Sequence, residues 1–178
     1  VAADLLSQAE HDVLASSILL TTNEKLITET EAEIERQLVY LKRGDITRKS
    51  LENYGAAVHV KSIEEAFEIS NDLAPEHLEI LTADPISHLP KVKNAGSIFL
   101  GENTPEPLGD YMSGTNHVLP TGGTAKFYSA LGVYDFVKYS SYSYYPRAAL
   151  ADLKDDVVKF ALSEGLDAHA NSIKVRFE

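Results

Sequence analysis

Gly109 to His117, reading G-D-Y-M-S-G-T-N-H, sets one carboxylate and one imidazole within nine residues. Its glycines and small polar side chains suit neither a helix nor a regular strand, so the stretch is expected to be an irregular, built loop. Asp110 offers an anionic oxygen and His117 a ring nitrogen. Ser113, Thr115 and Asn116 add hydrogen-bonding groups, and Pro105, Pro107 and Pro120 stiffen the flanks. The same composition also suits a polar surface turn.

Three other places carry groups of the same kind. Gln8 and His11 stand three apart in an expected helix, a spacing that puts both on one face, whether around a ligand or in solvent. Glu76 and His77 follow Pro75 at a helix-to-strand junction, where a carboxylate and an imidazole on loop backbone can share acid and base work. Glu164 and His169 flank Gly165 near the end of the chain. His59 and His88 read as incidental. The turn from Thr121 to Thr124 precedes Lys126 but lacks the spacing of a phosphate loop or a dinucleotide fingerprint, which leaves anion binding there a minor alternative.

Composition limits the chemistry. The formal charge of -11, from 27 acidic and 16 basic residues, opposes binding to a phosphate backbone, so no nucleic-acid partner is expected. No apolar run approaches the roughly 18 residues of a membrane span, and no membrane role is expected. Without cysteine there is no disulfide framework and no thiolate nucleophile, which fits a reducing cytoplasm, and any metal must take His, carboxylate or amide ligands. The chain opens at Val1 on an element already under way, so it is expected to be an excerpt of a longer protein.

The elements that must position these groups alternate. A helix is expected over Asp4 to Leu14 and a buried strand over Ala15 to Thr21. Asn23 caps a helix with the stripe Ile27, Ile34, Leu38 and Leu41, stopped at Gly44. Ala56, Val58 and Val60 alternate as a strand, Ser62 and Glu65 form a capping box before a helix ended by Pro75, and Leu78 to Leu81 and Ser97 to Leu100 are short strands.

Such alternation predicts an α/β fold, a mostly parallel sheet with flanking helices of an incomplete Rossmann-like domain, plus a C-terminal helical tail. The expected division is residues 1–137 for the portion carrying the site and 138–178 for an extended Tyr/Ser-rich segment and the tail. Pro146 opens a helix bearing Leu150, Leu153, Val157 and Phe160, and Asp167 caps a last short one. From about Tyr145 the tail has too few apolar residues for its own core, so it is expected to dock on something.

Four blocks in order carry a family resemblance: D-L-L-S-Q-A-E-H-D from Asp4, A-P-E-H-L-E from Ala74, G-D-Y-M-S-G-T-N-H-V-L-P-T-G-G-T-A from Gly109, and H-A-N-S from His169. Together they resemble histidinol dehydrogenase, from one end of the chain to the other. The resemblance implies a zinc-dependent, NAD-dependent homodimer that oxidises L-histidinol through L-histidinaldehyde to L-histidine, the last steps of histidine biosynthesis. It implies that Gln8, His11 and Asp110 ligate one Zn2+ with His169 of a second subunit. Glu76 and His77 match the acid/base pair, and Gln8, His11, His77, Asp110, His117, Glu164 and His169 match substrate-contacting positions, Glu164 and His169 coming from the second subunit.

A Gln amide oxygen is an uncommon and weak zinc ligand beside two imidazoles and a carboxylate. Whole members of the family are more than twice this length, and their nucleotide-binding part matches nothing here. The NAD-binding residues are therefore unknown and expected upstream of this chain. A catalytically silent metal-binding and dimerisation module is the alternative for these 178 residues alone.

Overall fold

A computed structural model describes all 178 residues. The fold is α/β, with parallel strand pairs, flanking helices and a C-terminal helical tail. It forms two compact units, residues 1–136 and 137–178. No helix is long and apolar enough to cross a membrane.

In the first unit, α1 (Ala2–Ala9) buries Ala2, Leu6 and Ala9. It stops well short of the expected Leu14, because Asp12 accepts a hydrogen bond from the Leu14 amide at 2.9 Å in a local turn and Val13 and Leu14 are exposed. Strand β1 (Ser17–Thr21) follows. Helix α2 (Glu24–Leu38) begins at Asn23, whose side chain accepts from the Lys25 amide at 3.1 Å.

Gly44 does not end that helix. It opens another, α3 (Gly44–Tyr54), which sequence periodicity missed because its fully buried positions are Thr47 and Ser50 rather than apolar residues. Thr47 donates to the Arg43 carbonyl at 3.0 Å and Ser50 to the Ala15 carbonyl at 2.8 Å, so both hydroxyls can be buried without an unsatisfied donor. Strand β2 (Gly55–His59) then pairs with β1 in parallel, Ser17 opposite Gly55.

Helix α4 (Ile63–Leu73) buries Ala66 and Phe67 and starts at Ser62, which accepts from the Glu65 amide at 3.2 Å. The Glu65 carboxylate returns to the Lys61 amide at 2.6 Å, one residue earlier than a standard capping box. The helix ends on Ala74, fully buried at φ 50°, the one non-glycine residue in the left-handed region. That conformation costs an L-residue roughly 1–2 kcal/mol. It turns the chain through Pro75 into the Glu76-His77 pair.

Strands β3 (His77–Ile80) and β4 (Ser97–Leu100) form a second parallel pair, with His77 opposite Ser97. The strands are thus parallel throughout but divided between two two-stranded sheets. Asn71 of α4 fixes the β3–β4 connection by donating to the Lys91 carbonyl and accepting from the Lys93 and Asn94 amides. At Gly96 a Cβ would lie 2.6 Å from the Glu76 carbonyl oxygen, and the amides of Gly96 and Ser97 bond to Pro75 and Glu76.

Helix α5 (Glu106–Tyr111) takes in the first three residues of the stretch expected to be an irregular loop, Gly109 to Tyr111, while residues 112–117 form no regular element, as expected. Pro105 and Pro107 sit at and just inside its start, where a missing N–H costs nothing. Gly109 is there for space: a Cβ would fall 2.5 Å from the ring of buried Phe99 on β4.

The second unit contains α6 (Arg147–Ser163) and α7 (Asp167–Lys174), joined through Gly165 at φ 72°. The Leu166 amide closes on the Ala161 carbonyl at 2.9 Å, a Schellman-type end. Asp167 is the first residue of α7 rather than its cap, which is Leu166. Within this unit only Ala161 and Ala170 are buried, while Leu153, Val157 and Phe160 of the expected apolar face are exposed. The Tyr/Ser segment from 139 to 145 forms no regular element, and Tyr142 is 95% exposed.

Replacing Gly109 by Ala is expected to destabilise the protein by about 1–3 kcal/mol, because neither the α5 backbone nor the Phe99 ring can yield without opening the core. A urea-unfolding midpoint equal to wild type would contradict this.

Candidate metal and acid–base centre

The first unit brings the ends of α1, β3 and α5 together. His77 opens β3 and is almost fully buried on its side chain. Its Nδ1 lies 2.9 Å from Gln8 Oε1 on the last turn of α1, so Nδ1–H donates to the amide oxygen and Nε2 keeps its lone pair. Against Nε2, at 3.8 Å, stands Oε1 of Glu106. That separation is too long for a hydrogen bond.

Glu106 is 6% exposed and its Oε1 has no hydrogen-bond partner, while Oε2 accepts from Ser7 Oγ at 3.4 Å. Asp110 follows one helical turn later on the same face of α5. One ligand atom from each of His77, Glu106 and Asp110 lies within 4.8 Å of the others. Two carboxylates this close, one oxygen orphaned, make a negative site that a divalent cation fits, with the His77 imidazole beside it.

His11 lies past the end of α1, not on a continuous helix with Gln8 as expected; its amide reaches the Gln8 carbonyl at 3.3 Å. The chain nevertheless turns it toward the cluster, its ring centroid 6.4 Å from that of His77. Phe99 closes another side of His77, centroid to centroid 6.0 Å.

The electrostatics follow from this packing. Burial raises the Glu76 carboxyl above its usual range, with His11 opposing and Asp110 adding to the rise. Burial lowers the His77 imidazole, against the pull of nearby Asp110, while His11 lowers it further. Glu106 is raised by burial and then by the charge of Asp110. A carboxyl that holds its proton longer beside an imidazole that gives its proton up sooner is a pair suited to proton transfer near neutrality.

Glu106 is the residue that sequence reasoning missed. Its signal was E-P-L-G-D, two carboxylates four apart, legible once residues 106–111 are taken as a helix. Of the other expected site residues, His117 is exposed and makes no hydrogen bond or ion pair with the cluster. Glu164 and His169 lie in the second unit, on a cleft of about 270 Å³ with Val157, Phe160, Leu166 and Ile173. In the Thr121–Thr124 turn the Thr124 amide and hydroxyl both bond to the Thr121 carbonyl, at 3.1 and 2.6 Å.

An α/β unit with a buried carboxylate–imidazole cluster at converging element ends has the form of an enzyme centre rather than of a packing core. The chain belongs to the histidinol dehydrogenase family, whose model matches residues 1–177. It is 66% identical over all 178 residues to histidinol dehydrogenase from Lactococcus lactis subsp. lactis and 60% identical over the same length to that from Clostridium acetobutylicum. In both cases it covers 100% of this chain and 41% of the relative, so the chain spans about two-fifths of the length of these curated relatives. The crystal structure of histidinol dehydrogenase from Elizabethkingia anophelis matches with a TM-score of 0.90 at 39% identity, covering 99% of this chain and 40% of that one.

The buried carboxyls give a signed stability prediction for the metal-free chain. With its folded pKa raised, Glu106 contributes stability below the unfolded value near 4.5 that is lost as pH rises through the folded value. His77, lowered, acts oppositely: its contribution is full above about 6.5 and is lost as pH falls through its folded value. In the presence of a chelator, Glu106→Gln is therefore expected to melt above wild type at pH 7, the gap closing toward pH 4.5. A variant melting below wild type across that range would show that the carboxylate is compensated.

Proposed function

We propose that this chain is the metal- and acid/base-bearing portion of a histidinol dehydrogenase, an enzyme that oxidises L-histidinol through L-histidinaldehyde to L-histidine with NAD as the acceptor of two hydrides. The observation that carries the reading is the buried His77, oriented by Gln8 on one nitrogen and faced on the other by the Glu106–Asp110 carboxylates. Gln8, His11 and Asp110 are the ligands this unit would give to Zn2+, with His169 of a second subunit as the fourth, and Glu164 and His117 would contact substrate. When bound, zinc would supply a positive centre that grips the amino and imidazole nitrogens of histidinol.

His77 does the work of a base. Its Nε2 lone pair, freed by the Nδ1–H bond to Gln8, takes the alcohol proton as the hydride leaves the carbinol carbon, giving the aldehyde. Glu76, more basic than an ordinary carboxylate because it is partly buried, takes a proton from the water that adds to the aldehyde carbon. The oxygen left negative by that addition takes back the proton held on His77 Nε2, which gives the hydrate and frees the imidazole; the hydrate then loses a second hydride from carbon and a second proton to His77, which leaves the carboxylic acid. Burial, reinforced by His11 and opposed by Asp110, favours the neutral imidazole that each proton removal needs.

The NAD-binding residues are assigned outside this chain, and the second unit, which buries only two alanines of its own, is assigned to exchange between subunits of a homodimer. The cysteine-free composition supports a cytoplasmic setting. Because the chain spans 41% of its relatives, a silent metal-binding and dimerisation module is the second reading for these 178 residues on their own.

One set of measurements separates the readings. The 178-residue chain is expected to bind zinc, with Asp110→Ala weakening it at least roughly tenfold, and to show little NAD reduction with histidinol. Equal zinc content in both proteins would remove Asp110 from the ligand set, and turnover comparable to a full-length relative would overturn the assignment of the NAD site. Light scattering at tens of micromolar is expected to give a dimer; a monomer would count against exchange of the second unit.

A further inference from the structure

Helix α5 carries two of the three clustered donors, Glu106 and Asp110, yet it has no cap of its own. Its preceding residue is Pro105, whose side chain can accept nothing; Pro107 has no N–H and the Leu108 amide bonds to the Pro105 carbonyl at 3.0 Å, so the Glu106 amide is the one that must find an acceptor outside the helix. The Glu106 amide is met instead from across the chain. Oε1 of Glu79 accepts it at 3.0 Å, 27 residues away in sequence.

Glu79 stands two residues after His77 on β3, and side chains two apart on a strand share a face. The strand that presents His77 therefore also holds the start of the helix that presents Glu106 and Asp110. Glu79 is half-buried, with Asp4 of α1 beside it, a place where a carboxylate is retained at a cost unless it is accepting strong hydrogen bonds. A charged acceptor on a helix amide is the stronger type of cap and also favours the positive end of the peptide dipoles.

We infer that Glu79 is a positioning residue that caps α5 from β3 and so sets the Glu106 and Asp110 carboxylates against His77. It touches none of the reacting atoms. The cap stands on geometry alone, whereas its consequence for metal rests on the function proposed above. Without the cap the first residue of this short helix loses its only hydrogen-bond acceptor, and the spacing of the donors loosens although each donor remains present.

The test compares Glu79→Ala with Glu79→Gln in the 178-residue chain, measuring zinc affinity by competition with a chromophoric chelator and amide exchange across residues 106–111 by NMR. Alanine is expected to weaken zinc roughly 10- to 100-fold and to speed exchange of the Glu106 amide, and glutamine, whose carbonyl still accepts that bond, to restore both most of the way. Alanine with wild-type affinity and exchange would overturn the inference, as would glutamine no better than alanine. Should the alanine variant fail to fold, the Glu106 amide of the wild type and of the glutamine variant decides: rapid exchange there in either protein also overturns it. Zinc binding absent in the wild type, with that amide protected and then released by alanine, would sink the metal reading and leave the cap supported.

Discussion

The arrangement depends on one unfavourable contact, the carboxylates of Glu106 and Asp110 held together beside a neutral imidazole. Like charges that close, one of them 6% exposed with an orphaned oxygen, are a place where the folded chain sits above its lowest electrostatic energy. A cation held at Asp110, as in the ligand set proposed above, would offset the repulsion. The carboxyl of Glu106 is raised by its burial and then by the charge of Asp110, so part of that penalty is expressed as proton affinity. Packing elsewhere in the unit must hold these groups in place against it.

That packing is concentrated at backbone positions with little freedom. Ala74 in the left-handed region aims Pro75 and then Glu76, Gly96 lets β4 approach the Glu76 carbonyl, and Gly109 lets α5 sit on Phe99. Phe99 then serves two neighbours, underlying α5 through Gly109 and lying beside the His77 ring. The acid/base pair and the carboxylate helix are thus placed by one strand pair, β3 and β4, and a change in either strand moves both.

Much of this was legible from residue types, and what was not has identifiable causes. The four strands, the Asn23 cap and the end of α4 near Pro75 followed from alternation and from capping chemistry whose signals are local. Helix α3 was invisible because Thr47 and Ser50 fill its buried face, with hydroxyls bonded to main-chain carbonyls instead of apolar packing. Helix α5 was read as a loop because Pro107 and Gly109 are poor helix formers, although one sits where proline is tolerated and the other where only glycine fits. That error concealed Glu106, and the placement of His11 beyond the end of α1 depended on an Asp12 turn that hydrophobic periodicity does not register.

Gln8 links the two halves of the proposed chemistry. An amide oxygen has two lone pairs, so the one that accepts from His77 Nδ1–H leaves another free for a cation. A weak zinc ligand by itself, the amide then has a second use: polarised by a cation, its oxygen becomes a poorer acceptor, and the imidazole bonded to it holds its own N–H proton more firmly. A carboxylate in the same place would accept more strongly and stabilise the charged imidazolium. The amide fixes the tautomer without supplying that charge, which suits a group that must release its proton between two successive abstractions. On the proposed ligand set, residue 8 is therefore better filled by glutamine than by the stronger ligand glutamate, because the base it orients has to be used twice.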